Sequence, residues 1–102
     1  MMTSNQIKDL IAQELKVEQD LTNVFGLDLT KCLISPVQQT YVLSNEEKIE
    51  LWTVLKESPS TEDGYCVFYD PEENEFGLGM ISTYGIHNIG YYGTFLETIY
   101  AM

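Results

Sequence analysis

The run Tyr65-Cys66-Val67-Phe68-Tyr69-Asp70-Pro71-Glu72-Glu73-Asn74-Glu75-Phe76-Gly77-Leu78-Gly79-Met80 decides how the chain folds. Residues 65–69 are strand formers, with Tyr65, Val67 and Tyr69 on one face of an extended chain and Cys66 and Phe68 on the other. A segment apolar on both faces belongs in the middle of a sheet. Asp70-Pro71-Glu72-Glu73-Asn74 is a strong turn signal, because proline presets the backbone of its second position and Asp and Asn bond their own backbone. Residues 75–80 then place Phe76, Leu78 and Met80 on one face. Gly77 and Gly79 leave the opposite face bare, open to another backbone or a large ring.

Working back from this hairpin, residues 37–43 alternate after Pro36 and predict a strand. Ser44-Asn45-Glu46-Glu47 follows as a turn, and residues 48–56 form the next element. Ser44 with Glu47 is also a capping box, and Ile49, Trp52 and Leu55 would share a helix face. We favour the strand over that helix, because Trp52-Thr53-Val54 is rich in strand formers. Residues 57–64 have loop composition, and residues 27–35 fit neither period. Residues 3–25 carry Ile7, Leu10, Ile11, Leu15, Leu21, Val24 and Phe25 at three- and four-residue steps, which predicts an amphipathic helix. Thr3 and Gln6 make its capping box and Gly26 its stop, with a bend near Val17 or two consecutive helices as the alternative.

Working forward, residues 81–93 hold three glycines, three tyrosines and no charge, and are expected to be a loop. Thr94 with Glu97 is a third capping box, and Phe95, Leu96, Ile99, Tyr100 and Met102 predict a short helix that must dock to persist. The expected fold is α+β, a single domain over residues 1–102. It has an N-terminal helix, a four-stranded antiparallel meander (37–43, 48–56, 65–69, 75–80) and a short C-terminal helix, with the helices on one face. Trp52 and some of Tyr65, Val67 and Tyr69 then fall on the other face, available to a partner or a second copy.

Charge narrows the function. Sixteen acids stand against five lysines and no arginine, for a net charge of -11. This disfavours nucleic acid, anionic membranes and phosphate-rich ligands. Residues 1–56 hold eight acids and five lysines, residues 57–102 eight acids and no base, so the field is concentrated in the second half. The polar start lacks the pattern of a secretory signal, no run is long enough for a membrane span, and Cys32 and Cys66 lack the spacing of a redox or zinc motif. Two buried, reduced thiols and a cytoplasmic location are the expectation.

Catalytic chemistry finds little support. The turn from Asp70 to Glu75 offers oxygens at calcium-loop spacing, but the sixth and twelfth positions are Glu75 and Ile81 instead of glycine and glutamate. His87, the single histidine, is the obvious base for a thiol or serine, yet neither cysteine has a basic neighbour and no Gly-x-Ser-x-Gly elbow exists. No catalytic, cofactor-binding or metal residue is assigned. In size, acidity and lack of catalytic residues the chain resembles small bacterial immunity or accessory proteins, a likeness of composition that carries no residue across. We therefore expect a non-enzymatic module engaging a basic protein partner through Asp70, Glu72, Glu73 and Glu75 together with Tyr84, His87, Tyr91 and Tyr92. The alternatives are a small enzyme using His87 with a nearby carboxylate or thiol, and a structural homo-oligomer such as a homodimer.

Overall fold

The structure, a computed structural model, describes residues 3–16, 32–57 and 64–101. Helix α1 (Ser4–Leu15) starts at a complete capping box: Gln6 N–H donates to Thr3 Oγ1 and Thr3 N–H to Gln6 Oε1, at 3.2 and 2.8 Å. Its Ile7 and Ile11 are buried. The helical expectation for residues 17–25, and the assignment of 27–31, lie outside the described residues.

Five strands follow: β1 (Leu33–Val42), β2 (Lys48–Lys56), β3 (Gly64–Asp70), β4 (Glu75–Ser82) and β5 (Gly85–Gly93). The chain ends in α2 (Phe95–Tyr100). Each strand pairs antiparallel with the next, in the order β1-β2-β3-β4-β5, and the sheet closes into a barrel. An up-and-down meander of odd strand number must bring its first and last strands together in the same direction. Accordingly β1 and β5 pair parallel, through Tyr41 with Ile86 and Val42 with His87.

The fifth strand corrects the expected loop at residues 81–93. There, β4 runs on to Ser82, and Thr83 and Tyr84 make the turn into β5. Two register shifts in the β4–β5 ladder leave Ile89 and Tyr92 without a residue opposite them. Each extra residue flips the side-chain alternation, so the run has no sustained period of two and resembles a loop in sequence. Upstream, β1 begins at Leu33 rather than residue 37, with an irregularity between Leu33 and Val37 that accommodates Pro36. Residues 48–56 are the strand, not the helix.

The sheet has two apolar faces. Val54, Leu55, Val67, Tyr69, Phe76 and Leu78 cluster with Ile7 and Ile11 of α1 and Phe95 and Ile99 of α2. Tyr41, Leu51, Cys66, Phe68 and Ile81 form the second cluster, on the concave side. Val67 and Tyr69 are thus buried in the cluster that residues of α1 and α2 join and cannot serve the expected aromatic partner face, and Trp52 is half-buried against the same cluster. Of that group only Tyr65 is exposed. The bare strip of β4 does what its composition suggested. A Cβ on Gly77 would fall on the Phe68 ring and the Gly90 carbonyl oxygen, and one on Gly79 would lie 2.8 Å from Cys66 Sγ and from the Tyr41 ring.

Helix α2 is too short to persist alone. Its capping box is formed by Thr94 and Glu97, and Glu14 of α1 supplies a second cap, accepting from Phe95 N–H and Leu96 N–H at 3.1 Å each. A carboxylate on free N–H groups at a helix start is a favourable arrangement that here ties the two helices together.

Candidate functional site

Antiparallel topology puts the β1–β2 turn, the β3–β4 turn and the last residues of β5 at one end of the barrel. The β3–β4 turn is built around Asp70, whose Oδ1 accepts from Glu72 N–H at 3.0 Å and Glu73 N–H at 3.5 Å. Asn74 takes the left-handed conformation (φ 52°), and its Oδ1 accepts from the Tyr69 hydroxyl at 2.6 Å. With its interior bonds satisfied this way, the turn holds Glu72 and Glu73 out in solvent and Glu75 half-buried.

Asp70 itself is only 3% exposed, which removes it from the expected contact surface. Its Oδ2 accepts from the Tyr91 hydroxyl at 2.7 Å, so it acts as the joint between the acidic turn and β5. The Tyr91 ring meets Phe68 edge-on, with centroids 5.4 Å apart. Burial, then the bond to Asp70 and its charge, push the Tyr91 pKa above the usual tyrosine value, and Glu73 lies close enough to add to the shift. Tyr91 is nevertheless 38% exposed, beside Ile89 and Tyr92.

Facing these residues is the β1–β2 turn. It closes through Glu46 N–H to the Leu43 carbonyl (2.9 Å) and Leu43 N–H to the Glu47 carbonyl (2.7 Å), with Asn45 Oδ1 accepting from Glu47 N–H. Glu46 sits at φ 68°, a conformation that costs a side-chain-bearing residue about 1–2 kcal/mol. Between this turn and β5 lies a notch of about 320 Å³ lined by Leu43, Ser44, Asn45, Asn88, Ile89 and Tyr91, none of them charged. Asn88 Nδ2 is buried in its wall, near enough to the Tyr91 hydroxyl to offset part of the rise in its pKa.

The expected site residues therefore divide. Glu72, Glu73, Tyr91 and Tyr92 meet at this rim, with Glu75 beside them. Tyr84 lies at the opposite end, on the β4–β5 turn, 90% exposed and held by Ser82 Oγ, which accepts from Tyr84 N–H and donates to the Gly85 carbonyl. His87 is exposed on β5 near the closing pair, next to Ile86, which packs on the concave cluster. Cys66 is buried in that same cluster with its thiol 3.5 Å from the Tyr41 hydroxyl, and Cys32 is buried on the helix side. Cys66 is a free thiol. Burial raises the Cys66 pKa, which keeps it a thiol rather than a nucleophile at neutral pH. Glu62 and Asp63 lie outside the described residues.

The concave cluster holds one polar chain. Thr53 Oγ1 donates to Gln39 Oε1 at 2.6 Å, so its single proton is committed and the Tyr41 hydroxyl, 2.6 Å away, must donate to Thr53. The Cys66 thiol is left to donate to Tyr41.

Sequence reasoning missed Leu43, Ser44, Asn45, Glu46, Asn88 and Ile89. Leu43 reads in sequence as the end of a strand and Ser44, Asn45 and Glu46 as a turn in the less acidic half of the chain, and only the barrel closure sets them beside β5. Among the described residues no group of three or more His, Cys, Asp or Glu side chains is placed to hold a metal ion, and no helix is long and apolar enough to cross a membrane. No protein-family model matches the chain, and no curated protein or solved structure matches it.

Proposed function

We propose that the chain is a small acidic protein-binding module of the immunity or accessory type, acting in the cytoplasm. It engages a basic protein at the rim formed by the β3–β4 turn and β5. The observation that carries this reading is the joining of Glu72 and Glu73, both exposed, to the uncharged, exposed Ile89, Tyr91 and Tyr92 through the Tyr91–Asp70 bond. Aromatic side chains next to like-signed charge provide contact area together with electrostatic steering. In this reading the helices pack against the outer face of the sheet and leave the rim accessible. Like charge on every copy opposes self-association, so a basic partner is favoured over a homodimer.

The test compares the native chain with a Glu72→Gln, Glu73→Gln, Glu75→Gln variant as bait at low salt, followed by association kinetics with the recovered protein. A basic protein retained by the native chain alone, with an association rate that falls as salt rises, is the expected result. Equal recovery by both baits, or a rate independent of ionic strength, refutes it.

A further inference from the structure

Resting on that reading, we infer that the notch between the β1–β2 turn and β5 receives one basic side chain of the partner, its methylene stem against Leu43, Ile89 and Tyr91 and its charged head at the glutamates of the two flanking turns. Three observations lead there. The notch, about 320 Å³, is ample for a single long side chain, and its walls are uncharged. Such a lining suits the stem of lysine or arginine, which buries its methylenes and keeps its head at the edge. Acids flank it in the chain: the exposed Glu46 and Glu47 directly follow the lining residue Asn45, with one cation, Lys48, beyond them, and the exposed Glu73 of the β3–β4 turn lies close enough to Tyr91 to act on its hydroxyl. An acidic side chain would meet like charge, and a neutral one would leave the glutamates unanswered. Finally, the geometry is fixed before binding. The Tyr91 hydroxyl is held by Asp70 and its ring by Phe68, so the wall loses little freedom when a ligand arrives. The exposed Tyr91 ring adds a cation–π contact for the head group.

The probes are the blocked tripeptides acetyl-Gly-Arg-Gly-amide and acetyl-Gly-Lys-Gly-amide, with the isosteric neutral acetyl-Gly-citrulline-Gly-amide as control. Each is titrated at low salt into the full ¹⁵N-labelled chain while backbone amide shifts are followed. The expected result is saturable shifts at Leu43, Asn45, Ile89 and Tyr91 with the charged peptides, lost with citrulline. Glu46→Gln and Glu73→Gln should each weaken binding by about two- to fivefold, the range of an exposed ion pair. Comparing the arginine and lysine arms shows which head group the rim prefers. Ile89→Ser should remove the notch shifts, and Asn45→Lys, at an exposed turn position, should do so by repulsion if the serine variant does not fold. Shifts confined to Glu46, Glu47, Glu72 and Glu73, unchanged by either variant, overturn the notch and leave the acidic module standing. Citrulline binding as well as arginine overturns the requirement for charge. No shift at any of these positions with any peptide overturns both readings.

Discussion

Replacing Tyr91 by phenylalanine removes one hydroxyl and tests whether the acidic turn and β5 form a unit. The bond lost is 2.7 Å long and ends on a carboxylate that is 3% exposed. Hydrogen bonds to charged groups contribute about 1.5–3 kcal/mol. Because Tyr91 is 38% exposed, water can take the vacated position, which places the loss near the lower end, about 1.5 kcal/mol. The backbone bonds from Glu72 and Glu73 to Asp70 Oδ1 are untouched, so the turn keeps its shape. For a domain of this size about 1.5 kcal/mol corresponds to a fall in Tm of roughly 6–12 °C. Thermal and urea unfolding followed by circular dichroism at neutral pH read this directly. Asp70→Asn and the double variant complete a cycle, for which we expect a coupling energy of about 1 kcal/mol. A Tm for Tyr91→Phe within about 2 °C of the parent, far below the shift expected for a bond of this kind, would refute the idea that the rim is held from within.

Gly77→Ala should cost about 3 kcal/mol or prevent folding, since its methyl group would occupy the space of the Phe68 ring and a backbone carbonyl that cannot yield; a native-like urea midpoint would contradict this. Glu14→Ala should destabilise by about 1–2 kcal/mol by stripping the cap from Phe95 and Leu96, with hydrogen exchange in α2 accelerating more than in β3. Glu46→Gly should stabilise by about 0.5–1 kcal/mol, as glycine adopts a positive φ without strain, while weakening capture of a basic partner; a fall in Tm would count against the strained turn. Burial raises the pKa values of Tyr41 and Tyr91, so the folded state holds those protons more tightly and their contribution is complete below the unfolded tyrosine value of about 10. Stability should then decline as pH climbs above that point, less steeply in Tyr41→Phe, as followed by alkaline unfolding and tyrosinate absorbance.

Much of this architecture was legible because its signals are local. The three capping-box patterns illustrate both the strength and the limit of such signals. Thr3–Gln6 and Thr94–Glu97 cap helices, whereas Ser44–Glu47 sits in a hairpin turn, because Trp52, Thr53 and Leu55 find partners on both sides in β1 and β3. Tertiary pairing overrides a local pattern there. β5 was invisible for a different reason. Its two extra residues, Ile89 and Tyr92, each reverse the alternation, so a reader looking for a period of two finds a loop. The candidate site suffered from the same distance in sequence. Asp70 and Tyr91 lie 21 residues apart and were proposed as separate contacts, yet they bond to each other, and Asp70 turns out to be a buried joint.

The interior of the barrel explains why function is sought at its rim. A small barrel can enclose a ligand only if side chains leave its centre open. Here Gly77 and Gly79 line part of the concave face, which in isolation would suggest such a space. Instead the rings of Phe68 and Tyr41 fill the positions those glycines vacate, and they stack edge-to-face with centroids 5.2 Å apart. Leu51, Cys66 and Ile81 close the rest, and the one polar chain, from Gln39 through Thr53 and Tyr41 to Cys66, satisfies its own hydrogen bonds. The glycines thus serve packing, and the concave face is core. Among the described residues the concave face is filled by side chains, whereas recognition needs only a fixed surface. The rim meets that condition, since Tyr91 is anchored from beneath by the same Phe68 that fills the barrel. Stability of the core and shape of the proposed binding surface are therefore coupled through one ring. Changes at Gly77 or Phe68 should disturb recognition even where the fold survives, and changes at Tyr84, at the far end, should leave it intact.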